Sequence, residues 1–167
     1  LADRSLRQAV SMQGFVRSVR RLREPFYLVC GYGETGRLIC DALDRMGLRV
    51  VVIEVDENKL GELDLHNYAA DVPALCADAA NPETLKFAGL THTSCIGVIA
   101  LTNDDATNLA IAIAARLLAP RLPALCRAER STTSANMASF GTRHILNPFE
   151  RFSETLALSL HAPKASQ

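Results

Sequence analysis

The chain alternates short apolar runs with longer segments in which apolar residues recur every three or four positions. The short runs predict buried strands, and the longer segments predict helices packed against them. From Phe26 onwards the two kinds of segment follow one another in turn. This order is typical of an α/β fold, so we predict a doubly wound parallel sheet of six strands with helices on both faces. The predicted strands are residues 26–30, 49–55, 72–77, 95–101, 123–128 and 144–146.

A glycine-rich turn follows the first predicted strand directly. Residues 31–36 have the pattern G-x-G-x-x-G, and a helical pattern begins at once after it. Strand, glycines and helix in this order indicate a Rossmann-like nucleotide site, whereas the glycines alone are weak evidence. We expect Gly31 to permit the tight turn, Gly33 to admit a pyrophosphate and Gly36 to let helix and strand pack closely. The helix would then direct its free N–H groups at the phosphates. The alternative is an ordinary glycine-rich turn.

Two acidic residues end the second predicted strand, about twenty residues after the glycines. Glu54 and Asp56 stand there on either side of Val55. A carboxylate at this position accepts hydrogen bonds from ribose hydroxyls and repels a 2′-phosphate. NAD(H) or another adenine nucleotide is therefore favoured over NADP(H), with Glu54 as the better candidate because it lies at the strand tip. The alternative is a solvated acidic turn.

Two further loops are expected at the same edge of the sheet, because ligands of open α/β sheets lie outside the carboxyl ends of the strands. Asp78 follows the third strand and suits the adenine end of a ligand. Thr102 and Asn103 follow the fourth strand and suit a phosphate or second ribose, although Asn103 is equally typical of a helix start. The predicted cofactor-binding residues are Gly31, Tyr32, Gly33, Glu34, Thr35, Gly36, Glu54, Val55, Asp56, Asp78, Ala79, Thr102 and Asn103.

The sequence offers no catalytic machinery to accompany this nucleotide site. The four histidines suggest no common site, and no tyrosine is followed by a lysine four residues on. Neither a nucleophile elbow nor a metal-ligand spacing occurs. We therefore expect a domain that is not an enzyme, with no catalytic and no metal-binding residues. The first alternative is the cofactor-binding half of an NAD-dependent oxidoreductase, and the second is a dimerisation scaffold with an empty crevice.

Charge is distributed unevenly along the chain. The formal net charge of the 167 residues is zero, yet residues 1–23 hold six arginines against a single acidic residue, Asp3. Apolar residues recur there at helical spacing, so we predict a basic amphipathic helix, or two short helices that meet at Gly14. It is a solvated leader, a helix on a membrane surface, or a cytosolic linker after a transmembrane segment. Because the sequence begins at Leu1 rather than Met, we expect it to be part of a longer protein.

Another predicted helix, Ala106–Leu118, is apolar on nearly all sides. Only a thin polar strip near Thr107, Asn108 and Arg116 interrupts the apolar surface. A helix packed on one side of a sheet needs a single apolar stripe, so this helix is expected to be buried on more than one side. We expect a dimer interface here, and a helix that crosses it within the same chain is the alternative.

Several segments together resemble one known family. Residues 30–36, 51–56, 77–79 and 99–109 are similar to the RCK N-lobe, also called the TrkA-N domain, and residues 145–148 are similar to its closing strand. The resemblance covers about residues 26–160. It implies a regulatory domain of a prokaryotic potassium channel or of a Trk, Ktr or Kef-type transport system. Such a domain lies at the cytoplasmic face of the cell membrane, binds NAD(H), AMP, ADP or ATP, and gates potassium flux.

The resemblance also implies partners and boundaries. Family members pair through the helices that follow the fourth and fifth strands, the first of which matches Ala106–Leu118, and their last helix crosses to a partner or to a C-lobe. We therefore expect a homodimer or larger ring joined to a transmembrane potassium channel or transporter, and no nucleic acid. The expected organisation is a basic helical linker (1–24), the nucleotide-binding N-lobe (25–147) and a crossover helix with a tail (148–167). The basic linker favours a channel over a soluble transporter subunit.

One residue departs from the family pattern. Many members carry Arg or Lys where Glu34 stands, facing the phosphates. A carboxylate there repels phosphate, which disfavours ATP more than NAD(H) or AMP. Its position in the first turn of a helix also allows a favourable interaction with the helix dipole.

Overall fold

The computed structural model describes residues 2–130, 135–136 and 144–146. The strands are β1 (Phe26–Cys30), β2 (Arg49–Glu54), β3 (Ala74–Cys76), β4 (Cys95–Ala100), β5 (Ala124–Arg127) and β6 (His144–Leu146). They form one parallel sheet in the order β3-β2-β1-β4-β5-β6. The chain thus starts in the middle of the sheet, builds outwards to β3, and then crosses back to β4 beside β1. The predicted Rossmann-like parallel sheet with helices is confirmed.

Helices cover both faces of the sheet. They are α1 (Ala2–Arg20), α2 (Glu34–Arg45), α3 (Glu57–Leu65), α4 (Pro82–Phe87) and α5 (Asp105–Leu118). Successive side chains of β1 point to opposite faces, so Leu28 packs in a layer with α1, α4 and α5, whereas Val29 packs in a layer with α2 and α3. Burial on both sides explains why the strands are almost wholly apolar.

The basic N-terminal segment is one continuous helix that passes through Gly14 and packs on the domain. Phe15, Val19 and Leu22 are buried against the same layer as α4 and α5. Met12 and Val16 are partly buried against this layer, so the apolar stripe of residues 11–22 packs largely on the domain. Within the described ranges, no helix has the length and apolar character needed to cross a membrane.

Helix α5 differs from its predicted pattern at one position. Asn108, expected in an exposed polar strip, is fully buried. Ile111 and Ala115 face the core, whereas Ile113 is partly exposed and Leu117 is 75% exposed. The helix is thus apolar on the side that faces the sheet and on the side that faces away from it. The C-terminal helix predicted within residues 148–167 lies outside the described residues.

Candidate functional site

A cavity of about 310 Å³ opens at the carboxyl ends of the central strands. It lies where the strand order reverses between β1 and β4, which is the usual ligand position in open α/β sheets. Its volume is at the lower end of the roughly 300–1,000 Å³ typical of ligand pockets. Eight of the predicted cofactor-binding residues line it: Gly31, Gly33, Glu54, Val55, Asp78, Ala79, Thr102 and Asn103.

Two of the three motif glycines are required by backbone packing. Gly31 has φ +105°, and a Cβ there would lie 2.9 Å from backbone atoms of Leu101 and Thr102. A Cβ on Gly36 would lie only 2.0 Å from the carbonyl oxygen of Gly31. These contacts match the predicted tight turn and the predicted close approach of helix and strand. Any side chain at either position would push the turn away from β4 or from α2.

The third glycine, Gly33, meets only the end of a flexible side chain instead. The nearest atom to a Cβ at this position is Nζ of Lys59, at 3.7 Å. Gly33 is also the N-cap of α2, and no side chain caps that helix, whereas Asp56, Asn81 and Asp104 cap α3, α4 and α5. The first-turn N–H groups of α2 therefore lack side-chain acceptors, which is the arrangement that binds an anion.

Glu54 joins the tip of β2 to the glycine turn. Its side chain is buried, with Oε1 accepting a hydrogen bond from the Tyr32 N–H at 2.7 Å and Oε2 accepting one from the Asp56 N–H at 2.8 Å. Both oxygens keep a further lone pair, so the carboxylate can still accept hydrogen bonds from hydroxyl groups of a ligand. The same residue thus lines the cavity and fixes the turn beside it.

Tyr32 contributes its backbone to the turn and its side chain to the core. The ring is 1% exposed and packs in the layer of α2 and α3, where its hydroxyl forms a hydrogen bond with the hydroxyl of Tyr68. Burial raises the pKa of both phenols, so both stay neutral. Four other predicted residues lie next to the cavity without lining it: Glu34, Thr35, Gly36 and Asp56.

The loop after β4 is held by Asn108, which the sequence patterns assigned to the polar strip of the helix and not to the site. Its Oδ1 accepts hydrogen bonds from the Thr102 N–H (3.0 Å) and hydroxyl (2.7 Å). Its Nδ2 donates to the carbonyl oxygens of Thr102 and Arg127, each at 3.0 Å. An asparagine inside an otherwise apolar helix was the available signal, because a buried amide needs partners.

The start of α5 also settles the position of Asn103. Asp104 is the N-cap, since its carboxylate accepts hydrogen bonds from the N–H groups of Ala106 and Thr107. The hydrogen bond from the Thr107 hydroxyl holds the pKa of Asp104 below its ordinary value. Asn103 is therefore exposed just before the cap, at the cavity wall. The cavity is also lined by residues that were not predicted: Ile53, Lys59, Ala77, Leu101, Asp104 and Thr107.

The fold and the cavity define a Rossmann-like domain with a ligand pocket at its topological switch point. The TrkA-N domain family matches residues 27–148, so the chain belongs to this family and the predicted resemblance is confirmed. Potassium channel protein 1 of Methanocaldococcus jannaschii is 27% identical over 125 residues, 74% of this chain and 36% of the relative. Probable potassium channel protein 2 of that organism is 22% identical over 149 residues, which are 89% of this chain and 42% of the relative. The chain thus spans about two fifths of the length of these relatives.

Solved structures share the fold. The TrkA-N domain of inner membrane protein ybaL from Escherichia coli superposes with a TM-score of 0.66 at 24% identity, covering 81% of this chain and 96% of that one. The GsuK channel bound to NAD has a TM-score of 0.62 at 23% identity, and the match covers 86% of this chain and 25% of that one. The Kef CTD of Shewanella denitrificans in its AMP-bound form has a TM-score of 0.61 at 18% identity, covering 84% and 80%.

Proposed function

We propose that this chain binds NAD(H) or an adenine nucleotide in the cavity and regulates potassium flux through an attached or associated membrane protein. The observation that carries the proposal is the uncapped N-terminus of α2 beside Gly33, opposite the buried carboxylate of Glu54. Family membership supports it, because relatives are named as potassium channel proteins, and two solved structures that share the fold, the GsuK channel and the Kef CTD, are bound to NAD and AMP respectively.

The parts of such a ligand have distinct places in the cavity. Phosphates lie against the Gly33 backbone and the first turn of α2, where Thr35 and Gly36 offer their N–H groups. The ribose hydroxyls bind Glu54, whose carboxylate also disfavours a 2′-phosphate and hence NADP(H). Asp78 lies towards the adenine, and Thr102 with Asn103 towards the second ribose or the terminal phosphate.

Helix α1 is the part of the chain best placed to transmit a movement. Phe15 and Val19 lie in the core layer that also holds α4 and α5, so α1 moves with the domain rather than independently of it. A ligand shifts this movement only if it binds one arrangement of the domain more tightly than another. We infer that α1 is the linker to a membrane-spanning portion, at the cytoplasmic face.

Pairing with a second copy would cover the outer side of α5. Leu117 is 75% exposed there, beside the partly exposed Ile113. An apolar side of a helix is stabilised when another apolar surface covers it. We infer a homodimer through this side and the C-terminal helix, or a larger ring built from such dimers.

Ligand-dependent melting of the chain tests the binding. A ligand at one hundred times its Kd stabilises the folded state by about 2.7 kcal/mol, which raises the Tm of a chain of this size by roughly 5–11 °C. We expect this from NAD+, NADH or AMP, less from NADP+, and no shift in Gly33→Val, whose side chain fills the phosphate position. Failure of every adenine nucleotide to raise the Tm at millimolar concentration refutes the proposal.

A second measurement separates regulation from catalysis. Potassium flux through the full-length protein in liposomes should depend on the nucleotide, and Gly33→Val should remove that dependence. Hydride transfer between NAD(H) and an added carbonyl or alcohol by the full-length protein would support the oxidoreductase alternative instead.

A further inference from the structure

The cavity wall carries one cation. Lys59 lies in the first turn of α3 and is the only lysine or arginine among the described residues that line the cavity. Its Nζ is 3.7 Å from the position that a Cβ on Gly33 would occupy. The ammonium group therefore lies over Gly33, beside the uncapped N-terminus of α2.

The ammonium group of Lys59 has no ion pair or hydrogen bond with the described part of the protein. Glu54 uses its carboxylate for the N–H groups of Tyr32 and Asp56, and Asp56 caps α3 by accepting from the Asn58 N–H. The side chain of Lys59 is partly buried rather than fully solvated. The charge is thus held at the cavity without an ion pair to either of these carboxylates.

Helix stability does not account for a lysine at this position. The N-terminus of a helix carries partial positive charge, so a cation in the first turn is unfavourable and an anion is favourable. Lys59 stands in the first turn of α3, whose other end has no basic residue in its last turn. A solvated surface lysine would be better placed at that other end. A ligand with negative charge close to Gly33 would account for this position.

We propose that Lys59 is a phosphate-binding residue, and that it makes the site select adenine nucleotides over adenosine. This inference rests on the proposed function, because it concerns the same cavity. A phosphate against the Gly33 backbone would accept hydrogen bonds from the N–H groups of α2 on one side and from the ammonium group of Lys59 on the other. The flexible side chain of the lysine allows its ammonium group to reach whichever phosphate oxygens the turn leaves accessible. Glu34, in contrast, lies outside the cavity lining.

The test compares ligands that differ only in phosphate. Binding of adenosine, AMP and NAD+ is measured by titration calorimetry and ligand-detected NMR for the unaltered chain, Lys59→Met, Lys59→Arg and the control Lys86→Met. Methionine keeps the length and apolar stem without the charge, and Lys86 pairs with Glu83 on the surface of α4, away from the cavity. Loss of one charged hydrogen-bonding partner weakens binding by about tenfold to hundredfold.

Lys59→Met should therefore weaken the binding of AMP and NAD+ by that factor and leave the binding of adenosine unchanged. It should also make the affinity for AMP depend less on salt concentration. Lys59→Arg should retain most of the affinity, and Lys86→Met should bind like the unaltered chain. If Lys59→Met weakens the binding of AMP and of adenosine equally, the role of Lys59 is structural and the inference fails. An unchanged AMP affinity in Lys59→Met overturns the role of Lys59 alone, while an unaltered chain that binds none of the three ligands overturns the proposed function as well.

Discussion

Two alanine substitutions in the same turn are expected to differ strongly in their effect on stability. Gly36→Ala places a Cβ 2.0 Å from the carbonyl oxygen of Gly31, and 2.9 Å from its carbonyl carbon. Cβ atoms do not approach other atoms within 3.0 Å, so the backbone of α2 must separate from the turn by about 1 Å. Gly31 cannot move away easily, because its own backbone packs closely against Leu101 and Thr102. A Cβ on Gly31 would lie only 2.9 Å from their backbone atoms. Gly33→Ala meets nothing closer than Nζ of Lys59, at 3.7 Å.

The magnitudes follow from these contacts. Overpacking of a rigid site costs about 1–3 kcal/mol, and we place Gly36→Ala at the upper end because both colliding groups are backbone. For a chain of 167 residues, a loss of about 3 kcal/mol lowers the Tm by roughly 6–12 °C. Gly33 has φ −75°, which any residue adopts, so Gly33→Ala should change the free energy of unfolding by no more than about 1 kcal/mol.

Urea denaturation followed by far-UV circular dichroism, together with calorimetry, measures both variants. The unaltered chain and Gly61→Ala serve as references, since a Cβ on Gly61 in α3 meets no atom within 4 Å. The reasoning is refuted if Gly36→Ala melts within 2 °C of the unaltered chain, or if Gly33→Ala is destabilised as much as Gly36→Ala.

Three further substitutions test other contacts. Asn108→Leu keeps the volume but leaves Thr102 without its amide partner, so urea unfolding should show a loss of about 2–4 kcal/mol. Phe15→Ala should lower the free energy of unfolding by about 3–5 kcal/mol and make α1 sensitive to limited proteolysis. A variant as resistant to protease as the unaltered chain would contradict this prediction. The pKa of Asp104 is lowered in the folded state by the Thr107 hydroxyl, so its contribution is present above pH 3.8, the ordinary pKa of an aspartate, and is lost as the pH falls further. The stability difference from Asp104→Asn, a variant that keeps a capping side chain, should therefore shrink between pH 6 and pH 3 in acid-titrated melts.

The sequence by itself determined the order of the elements and the place of the cavity. Apolar runs and helical spacing are local patterns, and parallel strands must end at the same edge of a sheet, so Glu54, Asp78 and Thr102 could be assigned to one crevice in advance. The spacing of Gly31 and Gly36 likewise predicted a turn that admits no side chain. These features follow from neighbouring residues and from the topology that their pattern imposes.

Only the tertiary structure decided where individual side chains point. The hydrogen bond that Glu54 accepts from the Tyr32 N–H and the inward direction of Asn108 depend on segments more than a helix away in sequence. The docking of Phe15 on the core and the position of Lys59 over Gly33 likewise require two elements to meet. Hydrophobic periodicity reports the face of a helix but not the partner of a polar atom, because that partner is supplied by another part of the chain.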